Sequence, residues 1–334
     1  MANLPNRNLI LSTIKFWSGD SDYKLISKSE NLVYKFERNG NSYILRLVNN
    51  SKRKINFLYG EIEALQNYLK YGVKVCKPIK SDSNSYIHIV TDERNITYNA
   101  TVFEYISGIP IVIEKGLNLT KSLFYSWGQL LAQIHNVGNN FKTVISRPNK
   151  SEMYHQMWKT YNEVLDDELL NFIVSELNWL SRMPKSEYSF GLIHGDFAVN
   201  NLIKASDGLY AIDFDSSYFD YFIIDVALAI RSILNFSWRV KPTMYASNIS
   251  KYIINFLQGY NSIIELKHMR IHSINRIIKL LDLFEKLAIH GKHPRNKGIK
   301  FKNKHWLNEP NNTLPFDIGR EAEKIFLSES ITYI

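Results

Sequence analysis

One cysteine, Cys76, stands among 334 residues, which rules out an internal disulfide framework and suits a reducing compartment. Nine prolines and fifteen glycines are too few for a low-complexity chain, and 45% hydrophobic residues can build a sizeable core. No apolar run approaches the ~20 residues of a membrane span. The most apolar stretch, Tyr221 to Ile230, is interrupted by Asp225, and the apolar run near the N-terminus is too short for a signal peptide. A cytoplasmic protein without a membrane partner is expected. Zinc-ligand spacing, a recognition helix and an RNA-recognition motif are also missing. Their absence matters because the net charge is +9. Six positive charges fall at Lys292, Arg295, Lys297, Lys300, Lys302 and Lys304, with no acidic residue among them. So local a block reads as a solvated loop or an anion-attracting segment, and no nucleic-acid partner is expected.

What is present is patterned in two halves. Asn31 to Glu37 and Tyr43 to Val48 are short β-branched or aromatic runs joined across Asn39-Gly40, a strong hairpin signal. Ile26 to Asn31 reads as the turn ahead of them. From Asn56 to Tyr71 the period changes, with Leu58, Ile62, Leu65 and Leu69 at helical spacing. Val73 to Ile79, Tyr86 to Val90 and Ala100 to Ile106 predict further strands. After Gly108 helices dominate, over Leu123 to His135, Met153 to Leu180, Ser247 to Tyr260 and Ile271 to His290. The expected class is α+β. An antiparallel sheet with one helix fills 1–106, a hinge falls at about 103–108, and a mainly helical part fills 107–334.

The run from Ile193 to Asp215 carries chemistry. It holds His194-Gly195-Asp196, then Asn201 five residues after that aspartate, then Asp213 within Ile-Asp-Phe-Asp. Phosphoryl transfer needs a carboxylate to orient a substrate hydroxyl and oxygen ligands to hold Mg²⁺ on the phosphates. Asp196, Asn201 and Asp213 are candidates for those three tasks. The order H-x-D-x-x-x-x-N followed by D-F-x is the kinase catalytic set with altered first residues. Asp225 lies in an apolar helical run, where an unpartnered carboxylate would be costly.

H-G-D-F-x-x-x-N, in place of H-R-D, resembles the aminoglycoside phosphotransferase and choline kinase-like superfamily. With Phe16-Trp17-Ser18-Gly19-Asp20, the run Glu30 to Phe36, the Arg46 strand and Ile-Asp-Phe-Asp, the chain is most similar to the amicoumacin kinase-like branch. The resemblance covers most of the chain. It implies a bilobal protein-kinase-like fold, ATP and Mg²⁺ as cofactors, and a small-molecule hydroxyl as acceptor. It implies Asp196 as the catalytic residue, Asn201 and Asp213 as metal ligands, and His194 as a structural member of the loop. Asp225 would accept hydrogen bonds from the catalytic-loop backbone. Arg46 stands where kinases place the phosphate-anchoring lysine, with Glu61 as its ion-pair partner; a guanidinium fork can grip both phosphate and carboxylate.

Phe103 to Gly108 resembles the hinge, with the Glu104 carbonyl and Ile106 N–H on the purine edge and Phe103 behind it. No G-x-G-x-x-G loop is present, since Ile26 to Asn31 has no glycine, and the phosphate-covering contacts stay undefined. Asp215 assists the metal, faces the acceptor, or is an ordinary surface acidic residue. Trp158, Tyr218, Asp220, Trp238 and Trp306 are acceptor-pocket candidates, though aromatics at such spacing serve equally as core. The expected activity is O-phosphorylation of an antibiotic. A metabolic kinase acting on homoserine, an amino alcohol or a sugar shares the same hairpin, and a nucleotide-binding pseudokinase is the third reading. A monomer or homodimer suits all three.

Overall fold

Alternating apolar residues before position 107 and helical periodicity after it set the layout of the computed structural model, which describes residues 4–29, 31–111, 119–142, 147, 165, 167–240 and 248–292. In chain order the elements are α1 (Arg7–Ile14), β1 (Tyr23–Lys28), β2 (Leu32–Arg38), β3 (Asn41–Asn49), α2 (Ile55–Lys70), β4 (Pro78–Ile79), β5 (Ile87–Thr91), β6 (Thr97–Glu104) and β7 (Gly108–Pro110). Then follow α3 (Lys121–Gly138), α4 (Asp167–Ser181), β8 (Phe190–Ile193), β9 (Leu202–Ala205), β10 (Gly208–Ala211) and β11 (Tyr218–Tyr221). The last three helices are α5 (Phe222–Val240), α6 (Ile249–Asn261) and α7 (Ile274–Lys292). Two compact units emerge: Met1–Pro110 with Phe141–Arg147 and Leu202–Asp215, and Ile111–Asn140 with Pro148–Asn201 and Ser216–Ile334.

The first unit is a six-stranded sheet in the order β1-β2-β3-β6-β4, with β5 also on β6, and every pairing antiparallel. Asn39 and Gly40 both take positive φ, 50° and 74°, as a two-residue turn matched to strand twist requires. Arg38 therefore pairs with Asn41, and the hydrophobic alternation of both strands falls in register. Helix α1 closes one sheet face. Asn6 caps it by accepting the Leu9 N–H at 2.8 Å, and Ile10, Ile14 and Trp17 pack against Phe36, Leu45 and Val102. The Trp17 indole N–H donates to the Ile79 carbonyl at 2.9 Å, so its one polar group is satisfied in the core. On α2 the buried face includes Leu58, Ile62 and Leu65, as the period predicts, together with Glu61. A second sheet, β7-β9-β10, completes this unit.

In the second unit α3 packs on α6 through glycines. A Cβ added at Gly128 would lie 1.9 Å from the Phe256 carbonyl oxygen, and one at Gly259 would lie 1.9 Å from that of Tyr125. Only glycine permits that approach. The β8–β11 pair runs from Tyr218 opposite Ile193 to Tyr221 opposite Phe190, and α5 starts at the next residue. Leu165, Leu169 and Ile173 pack on Leu283 and Leu287, joining α4 to α7.

Several expectations are corrected here. Helix α1 has no counterpart among the predicted elements. The turn expected at Ile26 to Asn31 is shorter, because β1 continues to Lys28. Val73 to Ile79 shrinks to β4 and an isolated bridge from Val75 to Ala211, since Pro78 has no N–H to extend the ladder. The described part of the helix expected from Met153 begins at Asp167. Trp158, Trp306 and the basic 291–305 segment, apart from the end of α7, lie outside the described residues. Among the described residues no helix is long and apolar enough to cross a membrane.

Candidate active site

In the helical unit, the loop after β8 is built on a buried carboxylate. Asp225, fully buried in the first turn of α5, accepts the His194 N–H at 2.6 Å on Oδ2 and the Gly195 N–H at 2.9 Å on Oδ1. A carboxylate in a first helical turn also gains from the helix dipole. Gly195 has φ of +80°, and a Cβ there would meet the Ser216 carbonyl oxygen at 2.3 Å, so the glycine of the motif is sterically required. His194 is fully buried; its Nδ1 accepts the Asp196 N–H at 3.3 Å, which makes it a brace of the loop. The Val199 N–H donates to Ser232 of α5 at 2.9 Å.

These anchors leave Asp196 exposed between half-buried Gly195 and buried Phe197. The Asn201 side-chain amide donates to the Asp196 carbonyl at 2.8 Å and to its Oδ2 at 3.0 Å, which fixes the carboxylate. With the amide nitrogen so committed, the Asn201 oxygen receives, among the described residues, a 3.5 Å contact from Asn200.

His135, on α3, is a residue the sequence reading missed. Its Nε2 contacts Asp225 Oδ2 at 3.2 Å, its Nδ1 contacts the Tyr260 hydroxyl at 2.7 Å, and its ring stacks on Phe222. Burial lowers its pKa below the ordinary histidine value despite the adjacent carboxylate, so the ring is neutral. A neutral imidazole has one N–H. It is placed on Nε2 toward Asp225, and Nδ1 accepts from Tyr260. Burial raises the Tyr260 pKa well above its ordinary value, so the hydroxyl stays protonated. The only signal in the sequence was a histidine closing the apolar face of a helix.

In the sheet unit, Arg46 on β3 and Glu61 on α2 meet in a bidentate pair at 2.9 and 2.6 Å, with Glu61 only 1% exposed. Burial alone would lower the Arg46 pKa, but Glu61 outweighs it and the guanidinium is raised above its ordinary value. Phe103 lies under that guanidinium, 4.9 Å from ring centroid to Cζ. Arg46 Nη1 also reaches Asp213 Oδ1 at 3.7 Å, and the Arg46 Nε–H is buried with no partner among the described residues. Glu104 ends β6 with its N–H on the Lys77 carbonyl, and half-buried Ile106 follows in irregular backbone. Cys76 is buried nearby, which pushes its thiol pKa up to about 12.

Asp213 adopts φ of +64°, a left-handed conformation that costs a non-glycine residue about 1 kcal/mol or more. Asp215 is 9% exposed at its side chain, and its Oδ2 meets Arg53 at 2.7 Å and the Asn31 amide at 2.9 Å. Arg147, absent from the sequence reading, donates to the carbonyls of Phe57 at 2.5 Å, Phe214 at 3.2 Å and Asp215 at 3.3 Å. Burial brings its pKa down to about 10. An isolated arginine in a polar stretch gave no signal.

The acceptor candidates fare differently. Asp220 and Tyr218 are buried on β11, and Asp220 Oδ1 accepts the Tyr221 N–H at 2.7 Å. Side chains closed to solvent in this way do not meet an acceptor unless the strand moves. Trp238 lies on α5.

No group of three His, Cys, Asp or Glu is placed to hold a metal among the described residues. Each within its own unit, Asn201 carries a neutral hard oxygen donor and Asp213 an anionic one, the donor types that Mg²⁺ prefers. The unpartnered Arg46 Nε–H fits an incoming phosphate oxygen.

A model of the phosphotransferase enzyme family (APH) matches residues 22–260. The amicoumacin kinase of Bacillus subtilis (strain 168) is 26% identical over 245 residues, 71% of this chain and 70% of that protein. Among solved structures, an amicoumacin kinase in complex with AMP-PNP, Ca²⁺ and Ami superposes with a TM-score of 0.73 at 18% identity, over 96% of this chain and 93% of that one. A microcompartment-associated aminopropanol kinase gives 0.66 at 17% identity, over 97% and 98%. These likenesses show a shared kinase fold. Since the family match runs from the start of β1 to Tyr260 and takes in Asp196, Asn201, Asp213 and Asp225, the chain belongs to the phosphotransferase enzyme family and is a kinase acting on hydroxyl groups.

Proposed function

We propose that the chain inactivates an antibiotic of the amicoumacin type, phosphorylating one of its hydroxyls with Mg·ATP in the cytoplasm. The observation that carries this reading is the sequence likeness to an amicoumacin kinase across more than two-thirds of the chain. Asp196 accepts a hydrogen bond from the acceptor hydroxyl, aligns it, and takes its proton as the new O–P bond forms and the bond between the γ-phosphorus and the β–γ bridging oxygen breaks, releasing ADP. The Asn201 amide holds Asp196 in that orientation. Arg46, pinned by Glu61 and backed by Phe103, presents its Nε–H to a phosphate oxygen. Asn201 and Asp213 would hold Mg²⁺, which when bound neutralises phosphate charge. The Glu104–Ile106 backbone would receive the purine. A phosphate dianion on the drug destroys its fit to an anionic target.

A metabolic amino-alcohol kinase is the second reading, favoured by the fold shared with an aminopropanol kinase. Mass spectrometry of translation-targeting antibiotics, homoserine and amino alcohols incubated with Mg·ATP separates the two. One antibiotic should gain a single phosphoryl group with the wild-type chain and none with Asp196→Asn. Labelling of an amino alcohol alone would overturn the antibiotic reading, and equal labelling by Asp196→Asn would remove that residue from the mechanism.

A further inference from the structure

The β1–β2 turn lacks the glycines with which kinases cover phosphates, yet one residue of that turn is fastened. Asn31 donates its side-chain amide to Asp215 Oδ2, 184 positions along the chain. The same oxygen meets Arg53, which stands just ahead of α2. Arg147 grips the backbone of the turn that begins at Asp213, through the Phe214 and Asp215 carbonyls, and ties it to the start of α2 at Phe57. Three segments thus converge on Asp215: the turn after β1, the approach to α2, and the turn that begins at Asp213.

We infer that Asp215 is a positioning residue, neither a metal ligand nor an acceptor contact: it straps the β1–β2 turn to the Asp213 turn and so orders the phosphate-covering segment. The inference rests on the nucleotide-binding reading above. Its physical ground is occupancy. A carboxylate at 9% exposure, with a guanidinium and an amide both on Oδ2, is charge-paired and largely closed to solvent, which leaves little access for a cation that keeps its waters. Asp213, by contrast, is 44% exposed at its side chain, with its Oδ1 3.7 Å from Arg46 Nη1. Of the two acidic residues in Ile-Asp-Phe-Asp, the first is the more open to solvent and the second the more closely held. The strap also supplies what the missing glycines leave undefined, since a turn held by Asn31 needs no flexible glycine to reach its covering position.

Two measurements on the full-length chain test it. Limited trypsinolysis without nucleotide reads the strap directly through Lys28, which is exposed at the end of β1. Cleavage after Lys28 should accelerate about tenfold in Asp215→Ala and in Asn31→Ala, as loss of a charge-assisted hydrogen bond predicts. Calorimetric titration with AMP-PNP at saturating Mg²⁺ should show about tenfold weaker binding in each variant, and no further loss in the double variant. The Mg²⁺ midpoint at fixed AMP-PNP should move less than about twofold in Asp215→Ala, whereas Asp213→Asn should shift it strongly. A shifted midpoint in Asp215→Ala, or fully additive losses in the double variant, would overturn the strap. A wild-type chain that binds no Mg·AMP-PNP while Lys28 protection still depends on Asp215 would overturn the nucleotide reading and leave the strap standing.

Discussion

His135 carries a hydroxyl on one ring nitrogen and a carboxylate on the other, with no exposed surface. Asp225, Tyr260 and His194 are the titratable groups facing it. Its folded pKa lies below the ordinary value of 6.5, so between the two the unfolded chain binds a proton that the fold refuses. The neutral-histidine contribution is therefore complete above pH 6.5 and is lost as pH falls below it. The slope is at most about 1.4 kcal/mol per pH unit for one group. Thermal melts from pH 7.5 to 5.5 should show a falling melting temperature, flatter in His135→Gln, with a residual slope from His88, whose pKa burial also lowers. A slope unchanged by His135→Gln would assign the effect elsewhere. The mirror case is Tyr260: its raised pKa predicts stability lost above about pH 10, where the unfolded phenol ionises.

At the scale of elements, the spacing of α3 and α6 decides whether His135 and Tyr260 meet, and that spacing is set by Gly128 and Gly259. Gly→Ala at a helix interior ordinarily gains up to about 1 kcal/mol. Here a Cβ would sit 1.9 Å from backbone oxygen, which only a helix shift relieves. Overpacking of that kind costs roughly 1–3 kcal/mol, so it outweighs the propensity gain. Gly259→Ala should lower the melting temperature by a few degrees and also reduce turnover, because widening the helix pair lengthens the 2.7 Å His135–Tyr260 bond that backs Asp225. Equal or higher stability would show that the pair has room to spare. This coupling was invisible in the sequence. The periodicity of α2 and the Asn39-Gly40 turn is local and was read correctly, whereas a contact between residues 128 and 256 leaves no mark in either helix alone. Helix α1 was missed for a related reason: its short apolar face becomes a helix surface only against the sheet it covers.

For the whole molecule, the legible part of the candidate site is the part that is contiguous. His194, Asp196, Asn201 and Asp213 fall within twenty positions, so they stand out in the sequence as one motif. Arg53, Arg147, Asn31 and His135 act through tertiary contacts and have no spacing to betray them. Binding offers a test that reads the molecule as one system, because a ligand that binds only the native state stabilises it by mass action. At a hundred times Kd the gain is about 2.7 kcal/mol, which should raise the melting temperature of a chain this size by a few degrees. AMP-PNP with Mg²⁺ should therefore stabilise the wild-type chain more than AMP-PNP with EDTA. Asp196→Ala should keep the Mg²⁺-dependent increment, since in the proposed function its carboxylate serves the acceptor hydroxyl and not the nucleotide. Asp213→Ala should lose the increment and gain no stability without ligand, since alanine is no easier than aspartate to hold at φ of +64° and Arg46 loses its 3.7 Å neighbour. An increment that survives Asp213→Ala, or vanishes with Asp196→Ala, would exchange the roles assigned to the two carboxylates.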